Sequence, residues 1–245
     1  MISFPERLPL RISPCPIVEA IFEVRFGSTE PWATLPGLLY ARIRERYPEQ
    51  VSLPLMQVPE QIRAQDPALQ NLPLLRFKSE PFLVQLGPKT VSLVTKQNSY
   101  PGWPAVRTEL VWLLEQIQAA GFVLEIERLG VRYIDFFGGD LFPNLRLDVH
   151  VDGQPLTGTQ KDLTTVFRFA RISARLNVTN GAIVAAAAGM QAGSVLDVDA
   201  WVGPQDAGLF DQALEQFAEL HETTKRLFFA LLKPDYLAQL NPVYS

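Results

Sequence analysis

The sequence predicts an α+β fold, and three observations support that class. Short runs alternate apolar with polar residues. Most neighbouring runs are joined by turn residues, which gives antiparallel pairing. Three amphipathic stretches are spread among them and supply helices to cover a sheet face. The expected architecture is two lobes of curved antiparallel sheet with helices packed on one face. Residues 1–139 would form an N-terminal α+β lobe, and residues 140–245 an antiparallel sheet with a long terminal helix. The joint would lie near Gly138-Gly139.

Along the chain, "PIVEAIFEVRF" from Pro16 places Val18, Ala20, Phe22, Val24 and Phe26 on one strand face, with Glu19, Glu23 and Arg25 on the other. "WATLPGLLYARIRERYP" reads as a helix with Leu38, Leu39, Ile43 and Tyr47 inward. Residues 48–73, rich in proline and glutamine, form a long irregular connection with at most one short strand. The strands "LLRFKS", "FLVQLG" and "TVSLVTK" follow, separated by Glu80-Pro81 and Gly87-Pro88-Lys89. The next helix opens at Pro104, buries Val106, Leu110, Leu113, Leu114 and Ile117, and stops at Gly121. "FVLEIERLGVRYIDFF" is one strand or two broken at Gly130. In the second half, "NLRLDVHVDG" and "SVLDVDAWVG" read as strands, and "TTVFRFARISARLNVT" as one long strand. Asn180-Gly181 would turn that strand back into "AIVAAAAGM". The run Ala185–Ala188 would then be extended, with Ala186 opposite Arg175. The last helix would bury Phe210, Leu214, Phe217, Leu220, Leu227 and Leu231.

At 245 residues, 47% hydrophobic and 20% charged, the chain can bury a large core and is not disordered. Its net charge of -4 gives no bulk attraction to nucleic acid. A single cysteine, Cys15 between Pro14 and Pro16, excludes an internal disulfide and suits a reducing compartment. The plainer reading of Cys15 is a small apolar filler rather than a nucleophile. The N-terminus shows no basic region followed by an apolar run, and no apolar stretch reaches the ~18 residues of a membrane span. A cytoplasmic location without membrane contact is the expectation.

"PIVEAIFEVRF", "YPGW", "RLGVRYIDFF" and "HETTKRLFFALLKPDYLAQLNP" come in an order that resembles the sporadically distributed, uncharacterised bacterial protein family marked by P-I-x-E-A-I-F-E-x-R-F and L-R-Y-I-N motifs. The resemblance spans most of the chain, although Asp135 stands where that family's motif has asparagine. It implies a bacterial protein of patchy inheritance with no assigned activity. Patchy inheritance is a pattern often met in antiviral-defence or mobile-element cargo.

Asp197 and Asp199, two apart in "LDVDAW", share a strand face with Val195 and Trp201. Such a pair could hold a divalent cation, yet no third ligand is placed by sequence, so no metal or other cofactor is expected. A salt-bridged sheet face or a partner contact fits better. Arg168, Arg171 and Arg175 make a basic stripe, and as one strand it would set Phe167 and Phe169 beside Arg171 and Arg175, like a surface that stacks bases. Arg132 and Asp135 interrupt an apolar strand, and Glu19 or Glu23 could complete a structural ion pair there. "HETTK" lacks the second histidine of a zinc-protease helix, and no phosphate-binding loop, nucleophile elbow or CxxC occurs. The expected function is therefore a non-catalytic interaction or adaptor protein, with a subunit of a bacterial defence or mobile-element complex as its narrower form. Its partner would be another protein or a second copy, docking around Arg168, Arg171, Arg175, Asp197 and Asp199. Nucleic-acid binding or processing through the same arginines is the alternative, and a lobe-junction enzyme the third.

Overall fold

Residues 4–66, 68–155, 158, 160–186, 189–204 and 210–244 are described in the computed structural model. Their elements run β1 (Ile17–Ser28), α1 (Leu35–Ile43), β2 (Glu49–Ser52), α2 (Glu60–Gln65), β3 (Leu75–Ser79), β4 (Phe82–Gly87), β5 (Thr90–Thr95), α3 (Trp103–Ala120) and β6 (Val123–Gly138). Then follow β7 (His150–Val151), β8 (Gln154–Pro155), β9 (Asp162–Phe169), β10 (Ile172–Ala186), β11 (Gly189–Val202), α4 (Ala213–Leu231) and α5 (Pro234–Gln239). Nine strands join one sheet in the order β2-β3-β4-β5-β1-β6-β11-β10-β9, and β7 and β8 form a separate ribbon. The α+β class holds. None of the described helices is long and apolar enough to cross a membrane.

The chain divides into two compact units that interleave in sequence. One takes Glu19–Val131 and Trp201–Leu220, the other Met1–Val18, Arg132–Ala200 and His221–Ser245. In the first, Ala20, Phe22, Val24 and Phe26 of β1 are buried, while Ile21, Glu23 and Arg25 between them are half-buried. β1 lies antiparallel to β5 with Phe22 opposite Leu93 and Val24 opposite Val91. Leu35, Leu39 and Ile43 of α1 and the full apolar stripe of α3 are buried, and Gly121 ends α3 at φ +73°. Aromatic rings knit these layers: Tyr47 stacks with Trp112, Tyr40 with Phe77, and Phe26 tilts against Phe122. One carboxylate sits inside this core. Glu109 is 3% exposed, accepts a hydrogen bond from the Tyr47 hydroxyl at 2.7 Å and pairs with Arg46 at 2.5 Å. Burial and the bond to Glu109 push the Tyr47 phenol well above its ordinary range.

The second unit corrects two expectations. "TTVFRFARISARLNVT" is not one strand but the hairpin β9–β10, closed by a two-residue loop at Ala170-Arg171 with Ala170 at φ +52°. Asn180-Gly181 does not reverse the chain, because β10 runs on through it to Ala186. The physical reason is local. The Asn180 N–H donates to the Lys161 carbonyl at 3.1 Å, and its side-chain oxygen accepts the Lys161 N–H at 2.8 Å. Asn180 is thus satisfied against the start of β9, and Gly181 at φ +71° absorbs the irregularity inside the strand. Arg175 accordingly faces Val166 rather than Ala186. Ala185 and Ala186 are extended, while Ala187 and Ala188 lie outside the described residues. "NLRLDVHVDG" yields only the two-residue β7.

β11 approaches β6 closely at Gly193. A Cβ added there would strike the Phe137 carbonyl oxygen and the Phe136 ring. Beside it the buried Ser194 hydroxyl donates to the Gly139 carbonyl at 2.8 Å and accepts the Leu141 N–H at 2.9 Å. Gly193→Ala should therefore destabilise the protein by about 1–3 kcal/mol, read as a lower urea midpoint. Gly153→Ala, where nothing lies within 4 Å but φ is +74°, separates backbone strain from this clash.

Candidate partner interface

The pleat sorts the charged residues of the long strands in the second unit to one face or the other. On β10, Ile172, Ala174, Leu176 and Val178 are buried, whereas Arg175 is exposed and Ser173, Asn177 and Thr179 are half-buried. On β11, Leu196, Val198 and Ala200 are buried, and Val195, Asp197 and Asp199 turn outward. On β9, Asp162, Thr164, Val166 and Arg168 are exposed, with Leu163, Thr165, Phe167 and Phe169 on the opposite side. The register sets Arg168 opposite Ser173, Val166 opposite Arg175 and Thr164 opposite Asn177.

This outward face is organised by hydrogen bonds. Arg132 forms a two-pronged fork with Asp197, Nε to Oδ1 at 2.9 Å and Nη2 to Oδ2 at 2.6 Å. The side chains are 44% and 17% exposed, so the fork fixes geometry more than it stabilises. Asn177 donates from Nδ2 to both Asp162 and Thr164 at 2.8 Å. Arg171 stands in the exposed hairpin loop, off the Arg168–Arg175 face.

The aromatic–arginine surface expected from sequence is not present. Phe167 and Phe169 stack on each other at 6.1 Å on the side away from Arg168 and Arg175. The two-residue turn sets Phe169 opposite Ile172, so Phe167 shares its face with Ala174 rather than with Arg175.

Within the expected ion-pair group, Arg132 lies against Asp197 and Asp135 lies in the interior. Arg132 shares its outward face with Ile134 and Phe136, as its spacing implied, and takes Asp197 as its carboxylate. Glu23 accepts from Arg25 Nε at 2.8 Å and from Arg128, while Glu19 lies half-buried on β1. Asp135 points the other way, among the buried residues Tyr133 and Phe137, and enters no ion pair among the described residues. It is 2% exposed, and its Oδ1 has no hydrogen-bond partner. Burial, with the negative charge of Asp197 adding to it, pushes its pKa up to about 8. Nearby in this unit, the Tyr133 hydroxyl lies 2.8 Å from Nδ1 of His221, which burial and then Lys225 hold down at about 4. Cys15 is exposed, yet partial desolvation raises its thiol against a hydrogen bond from Ile17, and Asp135 adds to the rise.

The first unit holds a cluster that spacing alone did not single out. A cavity of about 870 Å³ is lined by Arg25, Gln118, Glu125, Glu127, Arg128 and Trp201. The Arg128 guanidinium lies 5.3 Å above the Trp201 ring and pairs with Glu23. The available signal was the outward alternation of Glu23 and Arg25. Among the described residues no three His, Cys, Asp or Glu are grouped to hold a metal ion.

Two opposed pH effects follow. Folded Asp135 keeps its proton to about pH 8 while the unfolded carboxyl loses it near ~3.9, so its contribution to stability falls as pH rises through that window. Folded His221 stays neutral to about pH 4 while the unfolded imidazole protonates near ~6.5, so its contribution falls as pH drops through that window. From about pH 4 to 6.5 the slopes oppose each other, and above pH 6.5 that of Asp135 acts alone. Asp135→Asn should remove a loss of up to ~1.4 kcal/mol per pH unit above neutrality, and it should expose the acid-side loss. Urea midpoints at pH 5, 6.5 and 8 read both. The half-buried Arg132–Asp197 fork behaves otherwise: Asp197→Ala should cost ~0.5–1 kcal/mol in the same assay.

None of the protein-family models compared with the chain matches it, and no curated protein is significantly similar to it.

Proposed function

We propose that this chain is a non-catalytic interaction protein, an adaptor or subunit, whose outward face on β10 and β11 docks a protein partner. The observation that carries this reading is the hydrogen-bonded yet uncovered arrangement of Arg132, Asp197, Asn177 and Asp162, with the exposed Arg175 among them. Polar groups already held in place lose little side-chain freedom when a partner arrives. Alternating charge then selects the partner by complementarity. The resemblance supplies a context for such a subunit, a bacterial defence or mobile-element complex.

Nucleic-acid binding draws less support. Phe167 and Phe169 offer no stacking platform beside the arginines, and Arg132 is neutralised by Asp197. Catalysis draws less support too, since Asp135 is buried in the interior and the half-buried His221 is held by the Tyr133 hydroxyl.

The test is affinity purification of the tagged chain from its native host, with and without nuclease, beside the double variant Arg175→Glu/Asp199→Lys. The wild type should retain a defined protein after nuclease, and the variant, folded by circular dichroism, should lose it. Retention by the variant, or loss of the captured material on nuclease treatment, would sink the protein-docking reading.

A further inference from the structure

We infer that the free edge of β9 is a self-association site, on which a second copy of this chain lays its own β9 antiparallel across a two-fold axis. β9 ends the sheet, with β10 on one side only. Its two-residue loop makes Phe169 and Ile172 a hydrogen-bonded pair, so the odd-numbered residues of β9 bond to β10. The N–H and C=O groups of Asp162, Thr164, Val166 and Arg168 consequently point to the open edge. Among the described residues none of them has a backbone partner.

Most native edges are blunted by proline, charged side chains (lysine above all), bulges or shortness. The other end of this sheet obeys that rule, since β2 has four residues and lies between Pro48 and Pro54. β9 has eight residues, "DLTTVFRF", with no proline, no lysine and an unbroken register from Asp162 to Phe169. Val166 at its centre is 50% exposed.

Charge complementarity selects the occupant and the register. Asp162 and Arg168 lie on one face near opposite ends of the strand, and neither joins an ion pair among the described residues. Directly opposed residues of antiparallel strands share a face, so a two-fold axis must pass through a residue position. With the axis at Thr165, Asp162 meets Arg168 of the partner subunit, and Arg168 meets Asp162 of the partner subunit. Thr164 then meets Val166 of the partner subunit, and half-buried Leu163 meets Phe167 of the partner subunit on the other face. An axis at Val166 leaves both charges unmatched and needs Phe169, which already lies against Phe4 at 5.5 Å. The strand is complementary to itself in the Thr165 register.

This site is independent of the β10–β11 face reading, and its test uses only the purified chain. Sedimentation velocity at micromolar concentration should give twice the mass of one chain. Val166→Pro removes an N–H that faces the open edge and none that bonds β10, so it should yield a folded monomer. Arg168→Asp should also give a monomer, by setting like charges opposite each other. The double variant Asp162→Arg/Arg168→Asp should restore the dimer. A monomeric wild type, a dimer that survives both single variants, or a folded double variant that stays monomeric would each overturn the inference. Loss of the dimer with partner capture intact, or the reverse, shows which of the two surfaces has failed.

Discussion

The two-residue period of the strand backbone is the constraint on which this molecule depends. Each strand has a side that must be apolar and a side that need not be, and a slip of one residue exchanges them. β6 shows the consequence within one run: Tyr133, Asp135 and Phe137 go inward, while Arg132, Ile134 and Phe136 go outward. The outward arginine finds Asp197 on β11. The inward carboxyl lies where no cation reaches it.

Two buried acids illustrate how the same cost is met differently. The Tyr47 hydroxyl and the Arg46 guanidinium both reach Glu109, so its carboxylate oxygens are hydrogen-bonded and paired. Asp135 has no such company and keeps a proton instead. One arrangement ties the segment that follows α1 to α3. The other makes the interior of its unit sensitive to mild alkali, and His221 sets a matching sensitivity on the acid side.

Much of the core was legible from residue order because its signals are periodic and strong. The buried stripe of α3 is the one its spacing implied, down to the stop at Gly121, and β1 buries four of its five expected residues, with Val18 only partly covered. Turns were less legible. Asn-Gly is a strong hairpin signal, but here the Asn180 side chain is used by Lys161, and the real reversal falls at Ala170-Arg171, a pair with no special turn preference. That misplaced turn carried the candidate site with it, since it changed which side chains share a face. The Arg132–Asp197 fork was out of reach for another reason: its members are 65 residues apart, and only strand order brings them together.

The short terminal strand β2, set between Pro48 and Pro54, has a bearing on what larger bodies the molecule can build. A sheet with two sticky margins propagates without end, as fibres do. With one margin sealed, any growth by strand addition is spent in a single step, and the product is a closed pair with no place for a third.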